Sequence, residues 1–353
     1  MTVNNNQAFR ETGLLQVDKL KTYFETSGGL AKVVDGISFT LEAGKTLAIV
    51  GESGSGKTML ARSIMGLIPV PPGIVAGGSI HFQGQDLRLL EEHKLSALRG
   101  NDIAMIFQDP MSSLNPVLNI GEQLSEGLIR HKKLSKKEAL KRALSLLEDV
   151  GVPAPQQRLG EYPHQLSGGL RQRVMIAIAI ACDPAVLIAD EPTTALDVSV
   201  QAQILRLLKN KQRQANMAMI FVSHDLATVA GIADDIAVMY AGKIVEIGPA
   251  KALIQNPRMP YTHALLQSIP RIDARSHQEL AVIEGRPPDL RQLPRGCNFA
   301  DRCQYAQQKC RESEPELGGE MSENQSLVPE HRFACWYPVA DNKNKPKPAS
   351  ESF

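Results

Sequence analysis

The octet GESGSGKT, residues 51–58, constrains the fold more than any other stretch of this 353-residue chain. It fits the pattern G-x-x-x-x-G-K-[ST] and stands between an apolar run, KTLAIV, and a helical stretch, MLARSIMGL. A buried strand that feeds a glycine turn and then a helix is one unit of a parallel sheet covered by helices. The chemistry explains the spacing. Gly51, Gly54 and Gly56, with Glu52, Ser53 and Ser55 between them, let successive backbone N–H groups turn inward around phosphate oxygens. The helix N-terminus adds its positive end. Lys57 is placed to reach the β- and γ-phosphates, and the Thr58 hydroxyl to ligate magnesium.

A magnesium nucleotide also needs a carboxylate at the end of a neighbouring strand, and AVLIADE supplies one. Its apolar run ends at Asp190, suited to hold magnesium directly or through water. Glu191, one residue further, is placed to orient and polarise an attacking water as general base. MAMIFVSHD is another buried strand, and each of these runs continues into a helix-like segment. Such alternation predicts an α/β fold with a largely parallel sheet between helices. Residues 14–50 alternate apolar and polar in short runs, LLQVDKL and ISFTLEAG, which reads as antiparallel strands. Residues 122–150 have helical spacing, with Ser135 as N-cap and Gly151 as stop. IAIAIA, residues 176–181, alternates as a strand would, yet its small residues equally suit a helix buried all round. Its place after a second glycine motif favours the helix.

A net charge of +1 gives no bulk attraction to nucleic acid or anionic lipid. The start, MTVNNNQAFRETG, lacks an apolar run and reads as no signal peptide. VMIAIAIAC, residues 174–182, is too short to cross a bilayer as a helix. A cytosolic setting is expected. Residues 1–13 and 339–353 are polar and are expected to be disordered. His93, His131 and His277 lie in charged segments and read as solvated, and His263 as packing or capping. The basic run at residues 130–142 reads as a solvated helix face.

The stretch HQLSGGLRQRVMIAIAIACDPAVLIADEPTTALD, residues 164–197, resembles the ATP-binding subunits of ABC transporters. LSGGL (166–170) looks like their signature motif and ALD (195–197) like their D-loop. FVSHD places His224 at the switch-histidine position, and IFQDP places Gln108 at the Q-loop. VDKLKTYF puts Phe24 at the position of the aromatic that stacks on adenine, with Tyr23 as the second choice. The resemblance implies a P-loop NTPase with a RecA-like core, an antiparallel β subdomain and a helical subdomain at about 109–180, all within residues 14–255. It implies ATP and Mg²⁺ as ligands, with Thr58, Gln108 and Asp190 at the metal. It implies that Glu191, His224 and Gln108 serve hydrolysis and that Asp197 contacts the nucleotide. Ser167, Gly168 and Gly169 would cap the γ-phosphate held by a different subunit's P-loop. They stand where a helix is predicted to begin, so the physical reading is a second phosphate-binding N-terminus. Leu170 departs from the usual glutamine at the fifth signature position.

Finer matches, GESGSGKT, IFQDPMSSLNP, YPHQLSGG, DEPTTALDV and NPRMPYTHALLQSIP, resemble the dipeptide/oligopeptide importer ATPases of bacteria. That branch implies ATP-driven peptide import at the cytoplasmic face of the inner membrane. The implied partners are a second ATPase subunit, commonly a paralogue, and two transmembrane permease subunits, served indirectly by a solute-binding protein. A soluble ABC ATPase acting on nucleic acid or the ribosome is the alternative, and the chain lacks the long insertion of the DNA-repair relatives. No nucleic-acid partner is expected.

From about residue 256 proline, arginine and cysteine rise and periodicity fades, marking an extension at 256–338. Of five cysteines, Cys297, Cys303, Cys310 and Cys335 lie here, and Cys182 reads as a small buried core residue. In a reducing compartment such clustering points to a metal site. Four thiolates suit a cubane cluster or structural zinc, and the spacings lack the paired C-x₂-C of common zinc sites. The branch resemblance implies a [4Fe–4S] cluster, with Zn²⁺ as the alternative.

Overall fold

The computed structural model describes residues 13–193, 197–269, 283–319 and 331–339. The expected disorder of the termini (apart from Gly13 and Val339), the Ala195 and Leu196 positions of the D-loop and His277 lie outside these residues.

The chain opens with a long antiparallel hairpin, β1 (Leu15–Thr26) and β2 (Gly29–Leu41), in which Leu15 faces Leu41 and Phe24 faces Ala31. Alternation puts Leu15 and Val17 of β1 on the buried face, and an irregularity at Lys19, φ +45, brings Leu20 to the same side. β3 (Thr46–Val50) then enters a second sheet, all five of its residues buried, and leads through the glycine loop into the helix Lys57–Ile64. β4 (Gly73–Phe82) returns to β1, and β5 (Gln85–Asp86) completes a small antiparallel sheet of order β2-β1-β4-β5.

β6 (Ile103–Ile106) is followed by a helical block: Pro110–Ser113, Ile120–Lys132, Lys136–Asp149, Pro155–Arg158 and Gly168–Ile180. Asn119 and Ser135 start two of these helices with reciprocal capping boxes to Glu122 and Glu138, each cap contributing about 1 kcal/mol. Gly151, two residues beyond the second of them, adopts φ +69 as the stop. IAIAIA is helical, and all but Ile178 of its first five residues are buried. The remaining strands are β7 (Val186–Asp190), β8 (Ala218–Ser223), β9 (Asp235–Tyr240), β10 (Lys243–Pro249), β11 (Gly318–Gly319) and β12 (Arg332–Phe333).

The large sheet has the order β11-β12-β10-β9-β3-β8-β7-β6, parallel from β9 to β6 and antiparallel from β9 to β11. Successive side chains of β3 divide two cores. Leu47 and Ile49 pack towards the antiparallel sheet with Leu20, Ile37 and Ile80, while Ala48 and Val50 pack towards the helices with Leu124, Val174 and Ile176. Burial on both faces is why these strands read as unbroken apolar runs.

The extension continues the large sheet. β12 pairs with β10, Glu246 opposite Phe333. Glu246 is fully buried and accepts from the Arg258 N–H at 2.7 Å, the Met259 N–H at 3.0 Å and His331 Nε2 at 2.8 Å. A helix at Pro260–Gln267 stands where periodicity fades, opened by proline at its first position. Among the described residues no helix is long and apolar enough to cross a membrane.

Candidate active site

Strand register brings the motif residues to one edge. Val50 lies opposite Ser223, Asp190 opposite Val222 and Ile106 opposite Ala189. The carboxyl ends of β3, β6, β7 and β8 are therefore level, and the loops that leave them meet in one place, where ligands of open α/β sheets bind. Gly56 ends the phosphate loop at φ +103, and a Cβ there would lie 2.2 Å from the Val33 carbonyl oxygen, so only glycine fits. Lys57 follows as the first helical residue. Its buried ammonium donates to the Gly51 and Glu52 carbonyls at 2.7 and 2.9 Å. Burial pushes it below the usual lysine range, opposed by the carboxylates of Glu191, Asp190 and Glu52.

The Thr58 hydroxyl donates to Asp190 Oδ1 at 3.2 Å, so the two expected magnesium ligands touch. Asp190 is 1% exposed, and burial pushes its carboxyl up to about 6 against the Thr58 hydrogen bond. A cation there would supply the charge this site lacks. Glu191 turns out of the strand at φ +46, a left-handed conformation rare for a residue with a side chain. Its N–H donates to the Val222 carbonyl at 3.0 Å. Its Oε2 accepts from Gln108 Nε2 at 3.3 Å and lies 3.3 Å from His224 Nδ1. Gln108 and His224, from two other loops, thus converge on one carboxylate oxygen of Glu191.

Ser167 caps the helix Gly168–Ile180, its hydroxyl accepting from the Leu170 N–H at 3.4 Å, and Ser167 and Gly168 are exposed. The first turn of a helix leaves N–H groups without intrahelical partners, and at this exposed end they suit an anion. Leu170 packs its side chain against the core. Gln172, fully buried one turn further, donates to the Pro192 carbonyl, tying this helix to the loop of Glu191. Asp197 caps the helix Val198–Ala215, accepting from the Val200 N–H at 2.9 Å and Ser199 Oγ at 2.7 Å; the Val200 bond holds it below the usual carboxylate range. Tyr23 spends its hydroxyl on Asp35 at 2.7 Å, whereas the half-buried Phe24 has an aromatic face without a polar tether.

Cys297, Cys303, Cys310 and Cys335 line a single pocket with Phe299, Trp336 and other apolar residues. The Tyr337 N–H donates to Cys335 Sγ at 3.4 Å. Burial pushes the Cys297 thiol up to about 11 and those of Cys303 and Cys335 up to about 12, opposed by backbone N–H bonds to each sulfur. Among the described residues no three His, Cys, Asp or Glu side chains are arranged to hold a single metal ion. Cys182 is buried in the helical core, and His93 lies on the surface.

Residues 34–194 match the ABC transporter family, and residues 245–310 match the C-terminal region of oligopeptide/dipeptide transporters. An oligopeptide transport ATP-binding protein, OppD, of Bacillus subtilis is 51% identical over 87% of this chain and 86% of its own length. The dipeptide transport ATP-binding protein DppD of the same organism is 50% identical over 92% and 94%. The OppD of Escherichia coli is 47% identical over 93% and 94%. The chain belongs to the peptide-transport ATP-binding proteins of the ABC family. Among solved structures, this ABC cassette resembles the dimeric cassette MJ0796 in a post-hydrolysis state bound to ADP and Pi, with TM-score 0.61 and 25% identity over 67% of this chain and 98% of that one. It also resembles the cassette cbiO1 of Clostridium perfringens, with TM-score 0.58 and 28% identity over 69% and 92%.

Sequence reading missed three groups that touch this ABC site. The Tyr261 hydroxyl accepts from the Glu52 N–H at 2.8 Å, and Arg302 clasps the Glu52 carboxylate. Gln172 is the third. None carries a periodic signal. The only trace in the sequence is that Tyr261 falls within NPRMPYTHALLQSIP.

Proposed function

We infer that this chain is the ATP-hydrolysing subunit that powers peptide import through an ABC transporter. The observation that carries the reading is the convergence of Gln108 and His224 on the Glu191 carboxylate beside the Thr58–Asp190 pair. ATP would lie along residues 51–58 with Lys57 at its terminal phosphates, Mg²⁺ on Thr58, Asp190 and Gln108, and adenine against Phe24. Water attacks the γ-phosphorus, its proton passes to Glu191, and the bond to the ADP oxygen breaks. His224 lies against the same carboxylate and is placed to orient the water and the γ-phosphate.

The finer reading is that Ser167, Gly168 and Gly169 complete the site of a second, paralogous ATPase, with Asp197 at the shared surface. Two permease subunits would hold the pair at the cytoplasmic face of the membrane, with a solute-binding protein acting indirectly. Affinity purification in mild detergent is expected to recover the second ATPase and both permeases in fixed ratio, and added DNA or RNA to leave turnover unchanged. Recovery of ribosomes or nucleic acid in their place would favour the soluble alternative.

A [4Fe–4S] cluster on Cys297, Cys303, Cys310 and Cys335 belongs to the same reading. Its support is four thiols on one apolar pocket, each of Cys297, Cys303 and Cys335 met by backbone N–H donors of the kind that tune cluster thiolates. The cluster would supply the positive charge that keeps the buried thiols deprotonated. Anaerobically purified protein is expected to be brown with about four iron and four sulfide per chain, and Cys310→Ser to lose both. Stoichiometric zinc without colour would replace the cluster by the alternative.

A further inference from the structure

Arg302 stands in the short turn Ala300–Arg302, immediately before Cys303, and reaches out of the extension into the phosphate loop. Its guanidinium grips the Glu52 carboxylate with two bonds, Nη1 to Oε2 at 2.6 Å and Nη2 to Oε1 at 2.8 Å. The remaining donors are also taken. Nη1 bonds the Tyr240 hydroxyl at 3.2 Å, Nη2 the Ile283 carbonyl at 3.3 Å and Nε the Glu284 carbonyl at 2.9 Å. The Arg302 side chain is 5% exposed and that of Glu52 26%, so this fork is held in a partly shielded, two-pronged geometry. Glu52 is the second residue of the phosphate loop, and its carbonyl accepts from Lys57 while its N–H donates to Tyr261. Behind the fork, Phe299 packs against Tyr240 and Tyr261 with ring centroids 5.3 Å apart in both pairs, and Phe299 also lines the cysteine pocket.

One short segment, residues 297–303, therefore has the cysteines on one side and the phosphate loop on the other. We propose that Arg302 is a positioning residue of the nucleotide site, through which the state of the cysteine pocket sets how tightly the phosphate loop holds ATP. When the pocket is filled, the turn is fixed and Arg302 fixes Glu52 and with it the loop carbonyls that place Lys57. When the pocket is emptied, the turn loosens and the loop pays the cost of its own ordering on binding nucleotide. The cysteine-pocket half of this rests on the metal reading given above; the Arg302–Glu52 half does not.

The test measures binding of a fluorescent ATP analogue and steady-state turnover, with iron, sulfide and zinc counted on the same samples of full-length protein. Arg302→Met is expected to weaken nucleotide binding by about 5- to 150-fold, the usual span of coupling between two sites, and to raise KM by a larger factor than it lowers kcat. Arg302→Lys, which keeps the charge and loses the fork, is expected to recover part of the affinity, and Glu52→Gln to mimic Arg302→Met. Cys303→Ser is expected to weaken binding as well, and to add nothing in the Arg302→Met background. Wild-type affinity in a folded Arg302→Met or Glu52→Gln protein overturns the proposal. So does a Cys303→Ser effect that adds fully to that of Arg302→Met. Absence of metal from wild-type protein would overturn the metal reading and the cysteine-pocket half of the proposal with it, while the Arg302 and Glu52 comparisons are read independently of it.

Discussion

Replacing Glu191 with glutamine will lower ATP turnover by about 10²–10⁴-fold, the span of general base catalysis, and leave nucleotide binding in place. The amide has the shape of the carboxylate and keeps an oxygen to accept from Gln108 Nε2. It has no basicity with which to take the proton of the attacking water. The left-handed backbone at Glu191 costs about 1–2 kcal/mol in an L-residue and aims the side chain at the level edge of β7 and β8. Glutamine bears the same cost, so the comparison isolates the proton transfer. Turnover is followed by phosphate release, and binding by a fluorescent ATP analogue. Turnover within threefold of wild type would remove Glu191 from the chemistry and leave His224 as the base.

Replacing Asp190 with asparagine will have two opposed effects. In chelator, without nucleotide, the variant will be more stable than wild type at pH 8. The buried carboxyl has its pKa pushed up to about 6 in the folded chain, above the unfolded value of about 3.9. A raised carboxyl favours the folded state only where it is protonated, and that contribution is lost as pH rises through about 6. At pH 8 the wild type therefore carries a penalty of about 3 kcal/mol, which asparagine removes. Near pH 3 the two proteins should melt together. With magnesium and ATP the order reverses, because the variant has lost the charge that holds the metal beside Thr58. Thermal melts at the two pH values, with and without Mg-ATP, check both halves. An asparagine variant less stable than wild type in chelator would mean that the Asp190 charge is already compensated by the protein.

Much of this was legible in the residues alone. The phosphate loop is contiguous, and β3, β7 and β8 announce themselves as apolar runs because helices or strands cover both of their faces. Ser135 followed by Glu138 is a local signal for a helix start, and the capping box forms. What the sequence hid is long-range or aperiodic. Arg302 and Glu52 are 250 residues apart and meet through a fold-level contact. β11 and β12 are two residues each, too short for any alternation to show. Gln172 reads as one more polar helical residue until its burial against Pro192 is seen. Cys297, Cys303, Cys310 and Cys335 read in the sequence as one group, and they line one pocket.

The way β12 lies along β10 bears on where this chain can be divided. Family boundaries invite a cut after the core cassette, and residue 255 is the obvious place. Such a cut would open the outer side of β10 around Val245, Glu246 and Ile247, which Ala334, Phe333 and Arg332 now cover. It would also take away the N–H groups of Arg258 and Met259 and the ring of His331, stranding the carboxylate of Glu246 in the interior. An open edge of that kind recruits other strands. The extension therefore acts as the selvedge of the sheet, and a minimal cassette made without it would be a sticky object whose self-association would mimic the pairing proposed for the intact subunit.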